Sequence, residues 1–524
     1  MLRPAFRHAL VAAAVLLGVA GAAQAEPPGA AASLYQQHCA SCHGADRLGG
    51  TGPALIPESL QRLRRDAAGS TIREGRPATQ MPGFGEVLSP EETAVLVGLI
   101  YQPPAEPPVW SIEQMRASHV IHTPAAKLPA RPVHDADPLN LFTVVEAGDQ
   151  HVTILDGDRF TPLWRFPSRF ALHGGAKYSP DGRFVYLGSR DGWVSKYDLY
   201  GLKPVAEIRV GINLRNIAVA ADGRTVAVGN YLPPSLVILD AGDLKPLKVV
   251  EGADRLGTPS RISAVYTARP RQSFIVALKD AAEMWEVSYR ADPEPVARSL
   301  VHSYQPGMLE GAFDTGPFPV RRIALDDVLD DFFFDPAYRH AIGAARNARA
   351  GQVINLNVGR KVAELALNGM PHLASGITFE HEGKTVLATP LLNEPVIAVF
   401  DIETWTPVRR IVTGGPGFFL RSHENTPYAW TDTSLGTARD QIQIIDKRTL
   451  EIVRTLRPAP GRLTSHVEFS RDGRHALVSV SEMNGELVVY DAERFVEVKR
   501  LPMRKPSGKY NVFNKISLSA GTSH

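Results

Sequence analysis

The chain has 524 residues, 57 lysines and arginines against 55 aspartates and glutamates, and a formal charge of +2; 44% of its residues are hydrophobic and two are cysteines. Such a charge balance gives no general attraction to nucleic acid or to an anionic membrane. An ordinary hydrophobic fraction excludes global disorder, and two cysteines exclude a multi-disulfide scaffold. The 44 glycines and 41 prolines argue for many turns and against a helical bundle, and the length suggests one small domain beside a large one, or about three domains.

In chain order, Met1 to Ala25 reads as a secretory signal peptide. Arg3 and Arg7 supply its positive end, Ala9 to Val19 its apolar stretch, and Ala23-Gln24-Ala25 a small-x-small cleavage site. The apolar stretch is too short for a bilayer, and no later segment has the roughly 20 apolar residues that a spanning helix needs. An exported, soluble protein starting at Glu26 is expected, without stable membrane insertion, and the periplasm is its expected compartment.

Both cysteines lie in Cys39-Ala40-Ser41-Cys42-His43. C-x-x-C-H is the attachment pattern of a c-type haem: two thiols add to the vinyl groups and the adjacent histidine reaches the iron. A redox dithiol leaves His43 unexplained, and a zinc site needs further close Cys or His residues, which do not follow. Met81, in Gln80-Met81-Pro82-Gly83, is the candidate second axial ligand, and His/Met ligation suits electron transfer; the alternative is a core filler. Residues 30–43 read as a helix ending in the haem motif. Ser89-Pro90-Glu91-Glu92 starts another that runs to about Tyr101. This region, 26–102, resembles a class I cytochrome c domain.

A Pro-rich linker is expected over 103–138, with a short helical pattern at Trp110 to Arg116 and a loose stretch from about Thr123 to Pro138. From there to residue 524 short apolar runs alternate with Asp-Gly and Gly-rich turns, as antiparallel strands do. A repeat of 40–50 residues is visible. Ser179-Pro180-Asp181-Gly182-Arg183 leads to Tyr197-Asp198, Ala221-Asp222-Gly223-Arg224 to Leu239-Asp240, and Arg471-Asp472-Gly473-Arg474 to Tyr490-Asp491; Phe400-Asp401 and Ile444-Ile445-Asp446 close two more. That period predicts an all-β propeller of eight blades, with seven as the alternative. The segment Gly307–Asp326 reads as an insertion.

A c-type domain followed by such a propeller resembles the cytochrome cd1 nitrite reductases and their relatives in haem d1 biosynthesis. The specific strings are Glu106-Pro107-Pro108-Val109-Trp110, Pro138-Leu139-Asn140-Leu141-Phe142, Tyr231-Leu232-Pro233-Pro234 and Pro506-Ser507-Gly508-Lys509-Tyr510-Asn511. The resemblance implies a non-covalent haem d1 species in the propeller, with His173 as its proximal iron ligand beside Gly174 and Gly175. His372, in Met370-Pro371-His372, matches one of two distal histidines of the nitrite reductases. Where the other should fall, just after Leu329, stand Asp330 and Asp331. Nitrite reduction to NO takes two protons at one oxygen, so this loss weighs against that activity.

The departure resembles the biosynthetic NirN branch of the family, whose implied reaction turns a propionate of dihydro-haem d1 into an acrylate with electrons passing to haem c. The implied partners are the tetrapyrrole substrate, a periplasmic electron acceptor and a nitrite reductase that receives haem d1. A non-enzymatic haem d1 carrier is the further alternative. Candidate catalytic groups are His466, whose side-chain type suits proton abstraction near neutral pH, Tyr510 and His372. Arg190 and Arg215, and less so Arg421, Arg339 and Asn347, are candidates to bind the macrocycle's carboxylates. His119 and His122 read as exposed linker histidines that could otherwise approach either haem. His340, His381, His423 and His475 receive no role.

Overall fold

In the computed structural model the described residues are 28–61, 63–76, 81–297, 313–345, 348, 350–367 and 370–522. The signal-peptide segment, Gln80 and Asn347 lie outside them.

The N-terminal part is helical. Pro28–His38 leads into the short helix Ala40–His43, followed by Pro57–Leu60, Arg65–Glu74 and Pro90–Ile100. The last starts as its sequence requires: the Ser89 hydroxyl accepts from Glu92 N and the Glu92 carboxylate accepts from Ser89 N, a reciprocal cap that satisfies two otherwise open donors. These helices close over an apolar cluster of Tyr35, Ile72, Leu88 and Leu96, against which Cys39, Met81 and Phe84 pack, with a second cluster of Leu60, Ala68 and Ile100.

Among the described residues the remainder is a ring of eight antiparallel sheets, seven of four strands and one extended to five, with a two-stranded hairpin outside the ring. The first blade takes Leu141–Glu146, His151–Asp156 and Thr161–Pro167; its innermost strand is the C-terminal Pro506–Asn511, which pairs Phe142 with Asn511 and so closes the ring. The other seven blades begin, at the channel, with Lys177–Tyr178, Asn213–Val219, Ile262–Ala268, Asp331–Phe334, Ile377–His381, Leu420–Ser422 and Thr464–Phe469. Closure by pairing removes the open sheet edges that would otherwise template aggregation.

The recurrent strand-final aspartates have a local cause. Asp240 Oδ1 accepts from Gly242 N at 2.7 Å, Asp401 Oδ1 from Glu403 N at 2.8 Å and Asp491 Oδ1 from Arg494 N at 2.8 Å. Each caps the turn between the third and fourth strands of its blade. The inner and middle strands are largely buried; Pro246–Glu251, an outermost strand, alternates between part-buried and exposed, whereas Lys203–Arg209, covered by the connecting segment, is mostly buried.

Two sequence expectations change. Val320–Ala324 is itself the outer strand of the fourth blade, paired with Glu283–Ser288, so the insertion lies earlier, between Ser288 and Val320. The stretch after Trp110 is stitched to the second blade: Val120–Ile121 adds a strand to its outer edge, His122 N bonds Val205 O, and Val133 N bonds Tyr200 O. Among the described residues no helix is long and apolar enough to cross a membrane.

Candidate functional site

The two ends of the propeller channel differ. At one end the helix Val512–Ser517, capped by Asn511, is held at the C-terminal ends of the inner strands: Asn514 Nδ2 bonds Glu468 Oε1 at 3.0 Å and Phe469 O at 2.9 Å. Toward the other end, the starts of the inner strands and the loops before them bring together most of the candidate residues. These segments are up to more than 300 residues apart in sequence, as His173 and Tyr510 are; only ring closure makes them neighbours.

His173 sits in the loop before the second blade, with its N–H on Gly188 O at 2.9 Å. Its ring meets Arg215 at both nitrogens: Nδ1 lies 2.7 Å from Arg215 O, and Nε2 lies 2.5 Å from Arg215 Nη1. A carbonyl at Nδ1 sets the Nδ1–H tautomer and leaves the Nε2 lone pair for a metal. Iron binding at Nε2 therefore requires the Arg215 guanidinium to move aside, which releases it for a carboxylate.

Beside His173 lies a small cavity lined by His173, Gly175, Gly508 and Tyr510 among others. Gly175 has φ +74°, and a Cβ there would come within 3.0 Å of Tyr510 Cε1. Glycine thus serves both the left-handed backbone and the close approach of the ring. Burial pushes the Tyr510 hydroxyl up to about 12, Arg421 working against the rise and Glu468 with it.

His466 lies edge-on to Tyr510, ring centroids 5.4 Å apart, and 4.4 Å from the Phe419 ring. Its backbone is left-handed, φ +54°, and its N–H bonds Asp432 Oδ2 at 3.1 Å. The Lys509 ammonium donates to its carbonyl. Burial first, then the Lys509 and Arg421 charges, hold the imidazole neutral far below the ordinary range. Its Nε2 is buried with no hydrogen-bond partner among the described residues. His372 completes the ring of groups: it packs on Phe418 at 4.1 Å, its Nδ1 lies 2.7 Å from Phe418 O, and burial lowers it to about 4.

The channel holds several buried or half-buried cations. Arg421 is 4% exposed, its Nη1 donates to Leu420 O at 2.8 Å, and its Nε has no partner among the described residues. Lys509 is fully buried. Lys515, on the C-terminal helix, lies 5.6 Å from the Tyr510 ring centre, and Lys177 the same distance from that of Tyr266. Desolvation lowers Lys515 to about 7 and Lys177 to about 8. Burying cations in such number is costly unless anions meet them, so the donor set suits a ligand carrying several carboxylates.

Lys177, Lys509 and Lys515 escaped the sequence reading, because no local spacing marks a lysine whose partners are assembled by closure. Arg190 takes part through its backbone, N–H on Ala171 O at 3.2 Å, which holds the His173 loop. Arg339 is exposed on the turn after Asp335, with its N–H on that carboxylate at 2.7 Å, and takes no part in the channel. His119 and His122 are pinned structurally, the first to Asp243 O at 2.6 Å and the second to Glu207 Oε2 at 2.9 Å. Where a second distal histidine was sought, Asp331 Oδ1 accepts from Tyr266 OH at 2.8 Å and Asp330 pairs with Lys279.

In the helical domain, Cys39 and Cys42 are unpaired thiols one helical turn apart. Burial lifts Cys39 to about 11. His43 Nδ1 lies 2.7 Å from Pro53 O, which leaves Nε2 for a metal. With Met81 and Phe84 in the same apolar crevice, this donor set fits a covalent haem.

Residues 136–306 and 309–515 match the Cytochrome D1 heme domain, and residues 26–100 match Cytochrome C oxidase, cbb3-type, subunit III. This chain belongs to the cytochrome D1 heme domain family. Within that family it is 56% identical, over 98% of its length and 99% of the relative's, to the dihydro-heme d1 dehydrogenase of Pseudomonas aeruginosa. A solved structure titled dihydro-heme d1 dehydrogenase NirN in complex with DHE superposes with a TM-score of 0.86 at 56% identity, covering 93% of this chain and all of that one. A nitrite reductase of Stutzerimonas stutzeri is more distant, 24% identical over 97% of this chain and 98% of its own.

Proposed function

We propose that this chain is a dihydro-haem d1 dehydrogenase, which introduces the acrylate double bond in the last step of haem d1 biosynthesis. The observation that carries this is the cavity joining His173 to Tyr510 amid buried cations, in a chain that also has a haem c motif. The substrate's –CH₂–CH₂–COO⁻ arm becomes –CH=CH–COO⁻, which releases two protons and two electrons. Haem c, which Cys39, Cys42, His43 and Met81 would hold, would accept one of these electrons when bound, and the substrate's own ferric iron the other.

The protein's part is binding and proton transfer. His173 would hold the substrate iron, and His372, neutral because it is buried, is the second imidazole that could bind it. Arg215, Arg421 and the channel lysines hold the carboxylates. Tyr510 lines the cavity; burial keeps its phenol protonated in spite of Arg421, so its oxygen takes a proton from the reacting arm only as it passes its own to a neighbouring base. His466 stands behind, its Nε2 open to the second proton.

Respiratory nitrite reduction is disfavoured by Asp331, a buried carboxyl already bonded by Tyr266 where a second proton-donating histidine would be needed. A carrier role leaves the haem c motif without use. Residues 1–25 support a periplasmic address, and there a separate electron acceptor must reoxidise haem c. A nitrite reductase is the proposed recipient of the product.

The test is anaerobic incubation of the haem c-loaded protein with dihydro-haem d1. The expected result is a product lighter by about two mass units, by loss of two hydrogens, with reduction of haem c in step. An unchanged macrocycle mass would overturn the reading.

A further inference from the structure

We propose that Arg209 is the positioning residue that sets the cytochrome domain, and hence the haem c site, at a fixed distance from the His173 site. The proposal rests on the dehydrogenase reading for its consequence, but on geometry alone for its placement.

Arg209 ends the strand Lys203–Arg209 of the second blade and is only 4% exposed. Three separate parts of the chain converge on it. From the haem motif loop, Leu48 O and Gly49 O both accept from its guanidinium, the latter at 3.4 Å. From the propeller, Asp191 O accepts from its Nε at 2.9 Å. From the connecting segment, the Trp110 ring lies under the guanidinium at 4.4 Å, Trp110 Nε1 bonds Arg209 O at 2.9 Å, and Ser118 Oγ accepts from Arg209 N at 2.9 Å. Around it Ala54 and Ile56 of the cytochrome domain pack against Ile212 and Leu232 of the propeller.

Each end of this clamp leads to a candidate iron ligand, directly on the haem c side and through the Ser189 turn on the propeller side. Gly49 N donates to His43 O at 2.8 Å, so the loop that Arg209 grips also carries the haem c proximal histidine. On the other side Asp191 belongs to the turn with Ser189 and Arg190; Ser189 Oγ donates to Asp191 Oδ1 at 2.5 Å, Leu172 bridges Ser189, and His173 N donates to Gly188 O at 2.9 Å. Gly49 has φ +89°, and a Cβ there would lie 2.9 Å from Arg209 Nη2, so the loop is shaped to admit the fork. A planar guanidinium with several donors in fixed directions can hold two carbonyls of one domain and a third of the other; an ammonium cannot.

The experiment uses the full chain with haem c attached, as wild type, Arg209→Met and Arg209→Lys. First, without tetrapyrrole, the distance between the ferric haem c and a nitroxide on the propeller is measured by pulsed electron resonance. Wild type should give one narrow distance and Arg209→Met a broad distribution, with the haem c spectrum and potential unchanged. Second, in a single turnover with bound dihydro-haem d1, haem c reduction should slow at least about tenfold in Arg209→Met, as expected when reacting partners are displaced by an ångström or more, with unchanged substrate affinity. Arg209→Lys should restore part of both. A narrow wild-type distance in Arg209→Met overturns the proposal whatever the enzyme does. If wild type holds one distance but never reduces haem c with substrate, the dehydrogenase reading fails and the placement of Arg209 stands.

Discussion

Arg215 grips His173 at both ring nitrogens, by its carbonyl at 2.7 Å from Nδ1 and by its guanidinium at 2.5 Å from Nε2. If His173 is the iron ligand proposed above, the carbonyl end sets the tautomer that ligation needs and the guanidinium end must yield to the metal. His173→Ala is expected to change the spectrum of the bound d1-type haem and leave that of haem c intact. An unaltered d1 spectrum would show that another residue is the ligand. Arg215→Met is expected to weaken substrate binding while the axial ligation bands persist, because the imidazole tautomer is set by a backbone carbonyl that the substitution keeps.

Tyr510 faces the cavity and His466 lies behind it, edge-on and 1% exposed. Tyr510→Phe is expected to bind dihydro-haem d1 and to lose dehydrogenation by about 10²-fold or more, the usual scale for a lost proton-transfer group. His466→Gln should lose less, since a neutral imidazole among cations is a weak base. Product mass and haem c reduction are the readouts, and a larger loss in the His466 variant reverses the order of roles.

Substrate affinity should depend on pH through the lysines. Lys515 and Lys177 are lowered to about 7 and about 8 by burial, so each is charged below that value and neutral above it. A polycarboxylate is held by the charged form. Binding is therefore expected to weaken from pH 7 to 9, where ordinary lysines stay charged. Lys177→Met with Lys515→Met should bind more weakly at pH 7 and show a flatter profile. A wild-type affinity that is level across this range counts against their role.

Gly175→Ala places a methyl 3.0 Å from the Tyr510 ring on a left-handed backbone, φ +74°. A destabilisation of about 1–3 kcal/mol is expected from such strain, read as a lower denaturant midpoint, together with slowed dehydrogenation as Tyr510 is pushed aside. Full activity at full stability would mean that the ring does not need its present position.

The haem c motif, the capped helix at Ser89 and the Asp-closed blade turns were legible because each is a local pattern, with cause and effect a few residues apart. The repeat of 40–50 residues announced the propeller for the same reason. The channel lysines were not legible. Lys509 stands in a string that had been noticed, yet nothing nearby says that its ammonium reaches the carbonyl of His466, 43 residues earlier. Arg339 misled for the converse reason: an arginine near the right blade, on the wrong side of its turn.

By itself, then, the sequence determined one haem attachment site, the propeller that follows it, and the histidine and glycines at positions 173–175. It also committed both cysteines to the haem motif, so the propeller closes by strand pairing, Phe142 to Asn511, and not by a disulfide. Only the tertiary structure decided which cations face the channel, that Asp331 is engaged by Tyr266, and that Arg209 joins the two domains. Those relations span from about 60 to more than 300 residues of chain. They exist because closing a ring brings the starts of eight inner strands to one mouth, where burial, not spacing, sets each group's charge.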